Sequence, residues 1–409
     1  MSRIIFFTLI NLAAFFVLAR LWPRFRASHW RWAFIGLTLL AISGWALPVL
    51  LGKGMHGTVP RVGVPLKLFG SAWLMSSLIL TLGGLLFMLA DALVHRFLPP
   101  GAGRDAPVPP ASNGVGGVSG PGGIDMGRRR LLTGIGRAVP VAAMATGAGG
   151  VLNGSSGFVL RREEVRVRGL PQALDGFKIG QITDVHVGPF IDADYVRQAV
   201  AAMNDAQADL QVVTGDLIDD LEQLDETMAA LEGCRAPHGM LAVLGNHEHW
   251  RGLSAIKKAY RASAQRSSLR LLVDEAHVLE HAGQKVRVVG VDYPIGSRTP
   301  SGKQELMKRS ADKAFGGTAQ DEVVLCLTHH PDFFPYAAEK GARLTLAGHT
   351  HGGQVAFFGI PAFGFAFKHM LGRYRRNDHH LYVSGGTGHW LPFRVGVPAE
   401  VTLLTLRSA

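Results

Sequence analysis

Five short segments concentrate side chains able to bind metals, in a fixed order along the chain. They are Asp184-Val185-His186, Gly215-Asp216, Gly245-Asn246-His247-Glu248, His329-His330-Pro331-Asp332 and Gly348-His349-Thr350-His351-Gly352-Gly353-Gln354. Carboxylate, imidazole and amide groups suit divalent transition metals such as Mn, Fe, Zn and Co, and the donor set does not select among them. Pooled, these donors suffice for two cations side by side. Two cations about 3.5–4 Å apart are a device for hydrolysing phosphate esters. No cysteine falls in the segments, which argues against a structural zinc site.

Residues this far apart in sequence act together only if regular elements bring them to one place. Phe177 to Thr183 reads as a strand ending at Asp184, and Leu210 to Val213 as a buried strand ending at Gly215-Asp216. Met240 to Leu244 is another, ending at Gly245-Asn246-His247. Between them, Tyr195 to Met203 and Leu221 to Leu231 have helical spacing, and a further helix is predicted from about Ser254 to Ala264. Later strands are predicted at Val286 to Val291, Val323 to Leu327, Leu344 to Ala347, Leu381 to Ser384 and Val401 to Leu406, with a helix over Lys303 to Ala314. The order is βαβαβ followed by a strand-rich half, which argues for a layered α/β fold. Every motif follows an apolar strand, where open α/β sheets place their ligand crevice.

With these blocks in order, the domain at residues 158–409 resembles, over roughly Val165 to Leu406, the calcineurin-like metallophosphoesterases, whose pattern is Asp-x-His, Gly-Asp, Gly-Asn-His-Asp/Glu, a lone His, and Gly-His-x-His. The ending Gly348 to Gln354, the Asn246-His247-Glu248 variant, and the late Val383 to Gly388 followed by Pro392-Phe393-Arg394 are similar to the membrane-associated branch of the family. The resemblance implies an αββα sandwich with two divalent metals. Asp184, His186 and His351 would hold the first metal, Asn246, His329 and His349 the second, and Asp216 would bridge them. It casts His247 as the acid that protonates the leaving group or steadies the phosphate, a task that suits an imidazole. Glu248 would orient an imidazole by hydrogen bond. His389 and Arg394 are further candidates, near the phosphate and a substrate anion respectively, although a structural salt bridge explains Arg394 equally well. His330 is read as a neighbour of the ligand His329. His249, His277, His281, His379 and His380 are read as solvated or structural. Gly245, Gly348, Gly352 and Gly353 allow tight turns and close backbone approach.

The first third differs in kind. Residues 1–97 read as a membrane domain with apolar stretches at Ile4 to Leu21, Trp32 to Leu51 and Leu68 to Val94, each near the 20 or so residues that cross a bilayer core. Residues 98–130 are rich in Gly and Pro, read as a flexible linker, and end in Arg128-Arg129-Arg130. The glycines from Gly114 to Gly123 lack the Lys-Ser/Thr of a phosphate-cradling loop. Residues 131–152 are either a fourth span or a surface helix; the arginines before them favour a span, whereas Arg137 and Pro140 oppose it. Arg20, Arg24, Arg26 and Arg31 place the first connection in the cytoplasm, so a fourth span would put the catalytic domain on the outer, periplasmic face of a bacterial-type inner membrane.

A hydrophobic share of 47% and a mean hydropathy of +0.18 agree with a multi-pass protein. The net charge of +11 sits largely beside apolar stretches and shows no basic stripe with interleaved aromatics, so nucleic acid is not expected as a partner. Two cysteines, Cys234 and Cys326, provide no disulfide framework. The expectation is a membrane-anchored two-metal hydrolase of phosphodiester or pyrophosphate bonds. Its partners would be the lipid bilayer and a lipid-linked or envelope substrate such as UDP-diacylglucosamine, a class some membrane-associated relatives process. A nucleotide-linked substrate would call for a cytoplasmic site, in conflict with the four-span topology. The alternative is a catalytically idle metal-binding membrane scaffold.

Overall fold

The computed structural model describes residues 2–50, 63–97, 122–297, 299–365 and 367–409, with the side chains at 2–3, 47–50, 95 and 122–130 outside the described set. The chain divides into two compact units, residues 1–47 with 65–150, and residues 48–64 with 151–409.

The N-terminal unit is helical: α1 Ser2–Leu21, α2 Trp30–Leu50, α3 Gly63–Phe97 and α4 Gly122–Gly154. Among the described residues three helices are long and apolar enough to cross a membrane, over Ile4–Leu21, Gly63–Val94 and Leu131–Gly154. The second apolar stretch is helical too, but its end at Leu51 and the side chains at 47–50 lie outside the described residues. Polar groups in this unit find one another. Ser77 Oγ donates to Asn11 Oδ1 at 2.8 Å, and Trp73 Nε1 donates to Thr38 Oγ1 at 3.0 Å. Such bonds join helices where no water is available to satisfy the groups. The linker reading needs correction at its end. Residues 98–121 lie outside the described residues, but 122–130 belong to α4. The proline-rich composition stops at Pro121, and the sequence from Ile124 on is compatible with helix.

The C-terminal unit contains the strands β1 Phe158–Val167, β2 Lys178–Ile182, β3 Leu210–Thr214, β4 Met240–Val243, β5 Leu269–Leu271, β6 Glu275–His281, β7 Gln284–Gly290, β8 Val323–Leu327, β9 Leu344–Ala347, β10 Ala356–Phe357, β11 Ile360–Pro361, β12 Gly372–Arg376, β13 His379–Val383 and β14 Ala399–Ser408. Two sheets form, in the orders β1-β14-β2-β3-β4-β5 and β12-β13-β9-β8-β7-β6, with β10 and β11 as a separate hairpin. Alternation along the strands makes the layers. Ile179, Leu210, Val212, Val286, Val288, Leu325 and Leu344 share one core between the sheets. Their neighbours face outward. Ile182 and Val213 pack under Val196, Met203 and Leu231 of α5 (Ala193–Asp205) and α6 (Leu224–Leu231), and Val324 and Cys326 under Met307 and Ala311 of α9 (Pro300–Ala314). The result is the αββα sandwich. Strands buried on both faces read as largely apolar runs, which is why β3, β8 and β9 are legible in sequence.

The edge strands β1 and β12 escape sequence reading. Phe-Val-Leu-Arg-Arg-Glu-Glu-Val-Arg-Val and Gly-Arg-Tyr-Arg-Arg lack an apolar run, because charged edge strands cover only one buried face. β1 gains its place from ten parallel pairs with β14, from Phe158↔Ala399 to Val167↔Ser408.

Candidate metal centre

All five blocks leave the carboxyl ends of their strands on one side of the sandwich. Asp184 and His186 follow β2, Asp216 follows β3, and Asn246 begins the short helix α7 (Asn246–Arg251) after β4. His329 follows β8, and His349 and His351 follow β9. Asp184, His186, Asp216, His349 and His351 have φ between 50° and 75°, the left-handed region that costs a side chain about 1 kcal/mol or more. The loops therefore hold these residues against their backbone preference. Two glycines permit the approach. A Cβ on Gly348 would stand 2.0 Å from Asp184 Oδ2, and one on Gly245 2.2 Å from Asp216 Oδ1.

The ligand atoms gather in overlapping groups, Asp184 with His186 and His351, His186 with Asp216 and His247, and Asp216 with His329 and His349, each within 4.8 Å. His186 Nε2 lies 3.1 Å from His351 Nε2, and His329 Nε2 lies 3.1 Å from His349 Nδ1. His329 is informative because its other nitrogen is assigned. Nδ1–H donates to the Thr214 carbonyl at 2.8 Å, so in the neutral ring Nε2 carries the lone pair. That lone pair faces Asp216 Oδ2 at 3.2 Å and Asn246 Oδ1 at 3.2 Å. Acceptors facing acceptors in a buried site require a positive charge among them. The site therefore fits a divalent cation, and the seven residues fit two.

The titration shifts express the same demand. Burial lowers the affinity of His329 for a proton, but Asp216 and Asp184 overcome it and bring its pKa up to about 10. A proton there supplies the charge that a metal would. Burial raises the Asp184 carboxyl, and the Asp216 charge adds to the rise. Burial works the same way on Asp216, but the imidazoles of His329, His186 and His247 hold it well below the ordinary carboxylate range. His349 and His351 are kept neutral, first by burial and then by neighbouring positive charge, as metal-ligating imidazoles must be.

His247 stands beside these groups, with Nε2 3.9 Å from Asp216 Oδ2. Its backbone N–H donates to Asp216 Oδ1 at 2.8 Å and its Nδ1 meets Asp219 Oδ1 at 2.5 Å. Asp219 also accepts from Arg251 Nε at 3.0 Å, and its other oxygen lies 3.3 Å from His186 Nδ1, off the line of a good hydrogen bond. Asp219 thus orients the His247 imidazole and places its charge beside His186, and sequence reading missed it; the signal was its position three residues after Asp216 in the same loop. Tyr293, after β7, was also missed. Its ring lies 5.9, 5.8 and 5.7 Å from those of His329, His330 and His349.

Glu248 does not orient an imidazole as expected. It is buried, and its carboxylate accepts from the backbone N–H groups of Gly245 (2.7 Å), Asp216 (3.0 Å) and Leu217 (2.6 Å). At the third position of α7 it reaches back to the helix start and ties the Asp216 loop to it. Arg394 forms no salt bridge with a carboxylate among the described residues. It is 0% exposed and donates to the carbonyls of Gly385 (2.9 Å) and Gly388 (2.6 Å), with Nη2 3.4 Å from His351 Nδ1. The glycine-rich turn folds around the guanidinium and meets both of its Nη groups with carbonyls. His389 is buried, its ring 6.0 Å from that of Phe190, and its Nδ1 has no partner. His330 caps the turn after it, accepting from the Asp332 N–H at 3.2 Å.

The two-sheet sandwich and this cluster of aspartates and histidines at its strand ends define a metal-dependent phosphoesterase. Residues 177–353 match the family described as calcineurin-like phosphoesterase, and the chain carries a calcineurin-like metallophosphoesterase domain. It is 28% identical over 249 residues to the protein named "Uncharacterized metallophosphoesterase YkuE" from Bacillus subtilis, covering 58% of this chain and 82% of that one. It is 29% identical over 233 residues to an "Uncharacterized metallophosphoesterase" from Helicobacter pylori, covering 56% and 59%. A "Transmembrane protein with metallophosphoesterase domain" from Danio rerio is 26% identical over 257 residues, covering 60% and 56%. The chain thus spans less than two thirds of the length of the latter two relatives.

Proposed function

We propose that the protein is a membrane-anchored two-metal hydrolase of phosphate esters, acting on phosphodiester or pyrophosphate bonds. The observation that carries this is the set of mutually facing acceptors at His329, Asp216 and Asn246, continued by the paired imidazoles of His186 and His351. Asp184, His186 and His351 would hold one cation, Asn246, His329 and His349 the other, and Asp216 both. Bound there, the metals would supply an acidified water as nucleophile and neutralise charge on the phosphoryl oxygens. The protein's own part is positioning and proton transfer. Asp219 accepts the Nδ1–H of His247 and so leaves Nε2 to meet the substrate. In the doubly protonated ring Nε2 also carries a hydrogen, and from there His247 would donate that proton to the departing oxygen, ending as the neutral Nδ1–H tautomer, or a hydrogen bond to the phosphate. Glu248 keeps the Asp216 loop fixed while this happens.

The three helices apolar enough to span a membrane support an anchor in the cytoplasmic membrane of a bacterial-type cell. Arg20, Arg24, Arg26 and Arg31 support a cytoplasmic first connection and, with α2 and α4 both crossing so that the spans number four, an outward-facing catalytic domain. On that face a lipid-linked or envelope phosphodiester is the substrate class that fits, whereas UDP-diacylglucosamine would require the opposite face. A reporter fused at the C-terminus and active on one side only reads the compartment. The chemical test is hydrolysis of an aryl phosphodiester by the purified full-length chain. Turnover should require Mn, Fe, Zn or Co, vanish with chelator, and fall sharply in His247→Gln. Metal-loaded protein that cleaves nothing would favour the scaffold instead.

A further inference from the structure

Immediately after His351 the chain does something a soluble domain avoids. Residues 355–367 contain no charged side chain and five phenylalanines, at 357, 358, 363, 365 and 367. The β10–β11 hairpin projects the first of them. Its turn, Phe358-Gly359, has positive φ at both residues (52° and 80°), the conformation of a tight two-residue hairpin. Relative exposure is 105% at Phe358, 88% at Phe365 and 71% at Ile360. The base of the hairpin is fixed. Ala356 N–H donates to the Val395 carbonyl and Ala362 N–H to that of Val355, both at 2.8 Å. The exposed rings are thus presented by an ordered support, and an exposed apolar cluster of this kind marks an interaction site.

Three observations select the occupant. The chain's own helices are apolar enough to cross a bilayer, so a lipid surface is within reach of the tethered domain at high effective concentration. The aromatic run ends at the exposed Lys368, and Arg373, Arg375 and Arg376 follow, with side chains 62%, 64% and 51% exposed and ion-paired with Glu163, Asp378 and Glu339. Aromatic residues followed by basic ones match the order of layers at a membrane surface, with acyl chains beneath anionic headgroups. Finally, the run returns to the metal centre, where the Phe367 ring lies 5.7 Å from His349 and 6.3 Å from His330.

We propose that the 355–367 segment docks into the interfacial layer of the bilayer, seating Phe357, Phe358, Ile360 and Phe365 among the acyl chains and Lys368 at the headgroups. This holds the rim of the metal centre against the lipid surface and selects phosphate esters carried in lipid headgroups. The substrate part rests on the phosphoesterase reading; the docking does not.

The test uses the full-length chain in nanodiscs of phosphatidylethanolamine and phosphatidylglycerol, in a Cys234→Ser background. A nitroxide at Phe358→Cys is compared with one at the exposed loop position Gln320→Cys by power saturation. The Phe358 label should collide several-fold more with oxygen, relative to a water-soluble nickel complex, than the Gln320 label. Equal accessibility at the two sites overturns the proposal, and so does spin–spin broadening that reveals a second copy of the chain on the hairpin. In parallel, the double variant Phe358→Asp, Phe365→Asp should cleave a bilayer-embedded lipid phosphodiester about tenfold more slowly or worse. Its hydrolysis of a soluble aryl phosphodiester should be unchanged; equal loss on both substrates overturns the proposal. If the Phe358→Cys label inserts while unlabelled wild-type protein loaded with metal cleaves neither substrate, docking is supported and the phosphoesterase reading is refuted.

Discussion

The metal-centre loops and the 355–367 hairpin invert the usual distribution of residues in opposite senses, and they are joined by a few residues. The loops bury carboxylates and imidazoles, with Asp184 and His329 wholly inaccessible. The hairpin exposes phenylalanines. Neither arrangement favours folding in water. Buried charge is tolerable only when paired or metal-bound, and exposed apolar surface is informative when it is contiguous. The loops rest on strands of the apolar layer between the sheets, and the hairpin is tied at its base to Val395, so ordered structure supplies the stability they lack. The difference teaches that the loops are completed by something small and positive, and the hairpin by something extended and apolar.

That contrast can be broken most severely at its polar end. Replacing Asp216 with Ala should cut turnover by about ten-thousandfold or more, because the shared anion between two cations is lost. Bound metal should fall with it, read by elemental analysis; retained metal and rate would refute the bridging role. His247→Ala should cost about a thousandfold in kcat with metal content unchanged, which separates proton transfer from metal binding. Glu248→Ala should destabilise the full-length protein by about 3 kcal/mol, since three buried N–H groups lose a charged acceptor. Thermal unfolding in detergent measures this, and an unchanged midpoint would show that water replaces the carboxylate. Asp219→Asn should lower kcat by about 10- to 100-fold with a changed pH profile, as expected when an imidazole loses its orienting partner. At the apolar end, the double variant Phe358→Ser, Phe365→Ser should move stability by no more than about 0.5 kcal/mol. A larger loss would mean that these rings pack within the fold, and the comparison would fail.

Legibility in the sequence followed burial. β8 and β9 could be placed to the residue because Val323 to Leu327 and Leu344 to Ala347 are apolar runs buried on both faces. β1 and β12 could not, because their charged side chains reveal nothing of partners such as Ala399 or Val383. The residues that gather at the strand ends were legible because their types are distinctive and each follows a strand. Glu248 and Arg394 were visible as residues but misread in role. A carboxylate that accepts from backbone N–H groups and a guanidinium that donates to carbonyls leave no trace in side-chain identity. Asp219 and Tyr293 were overlooked because an aspartate in a turn and a tyrosine in a loop are ordinary until their neighbours are known.

The chemistry on offer is set by the sequence alone: which donors exist, that each follows a strand, and that the first third of the chain contains stretches apolar enough for a bilayer. These properties reside in residue type and local period, which any unfolded chain already possesses. Only the tertiary structure decided that His329 Nε2 faces Asp216 and Asn246, that Asp219 serves both His186 and His247, and that the phenylalanines after His351 point into solvent. Those facts depend on loops meeting across two sheets from positions up to 167 residues apart (Asp184 to His351), and no local preference encodes such a meeting.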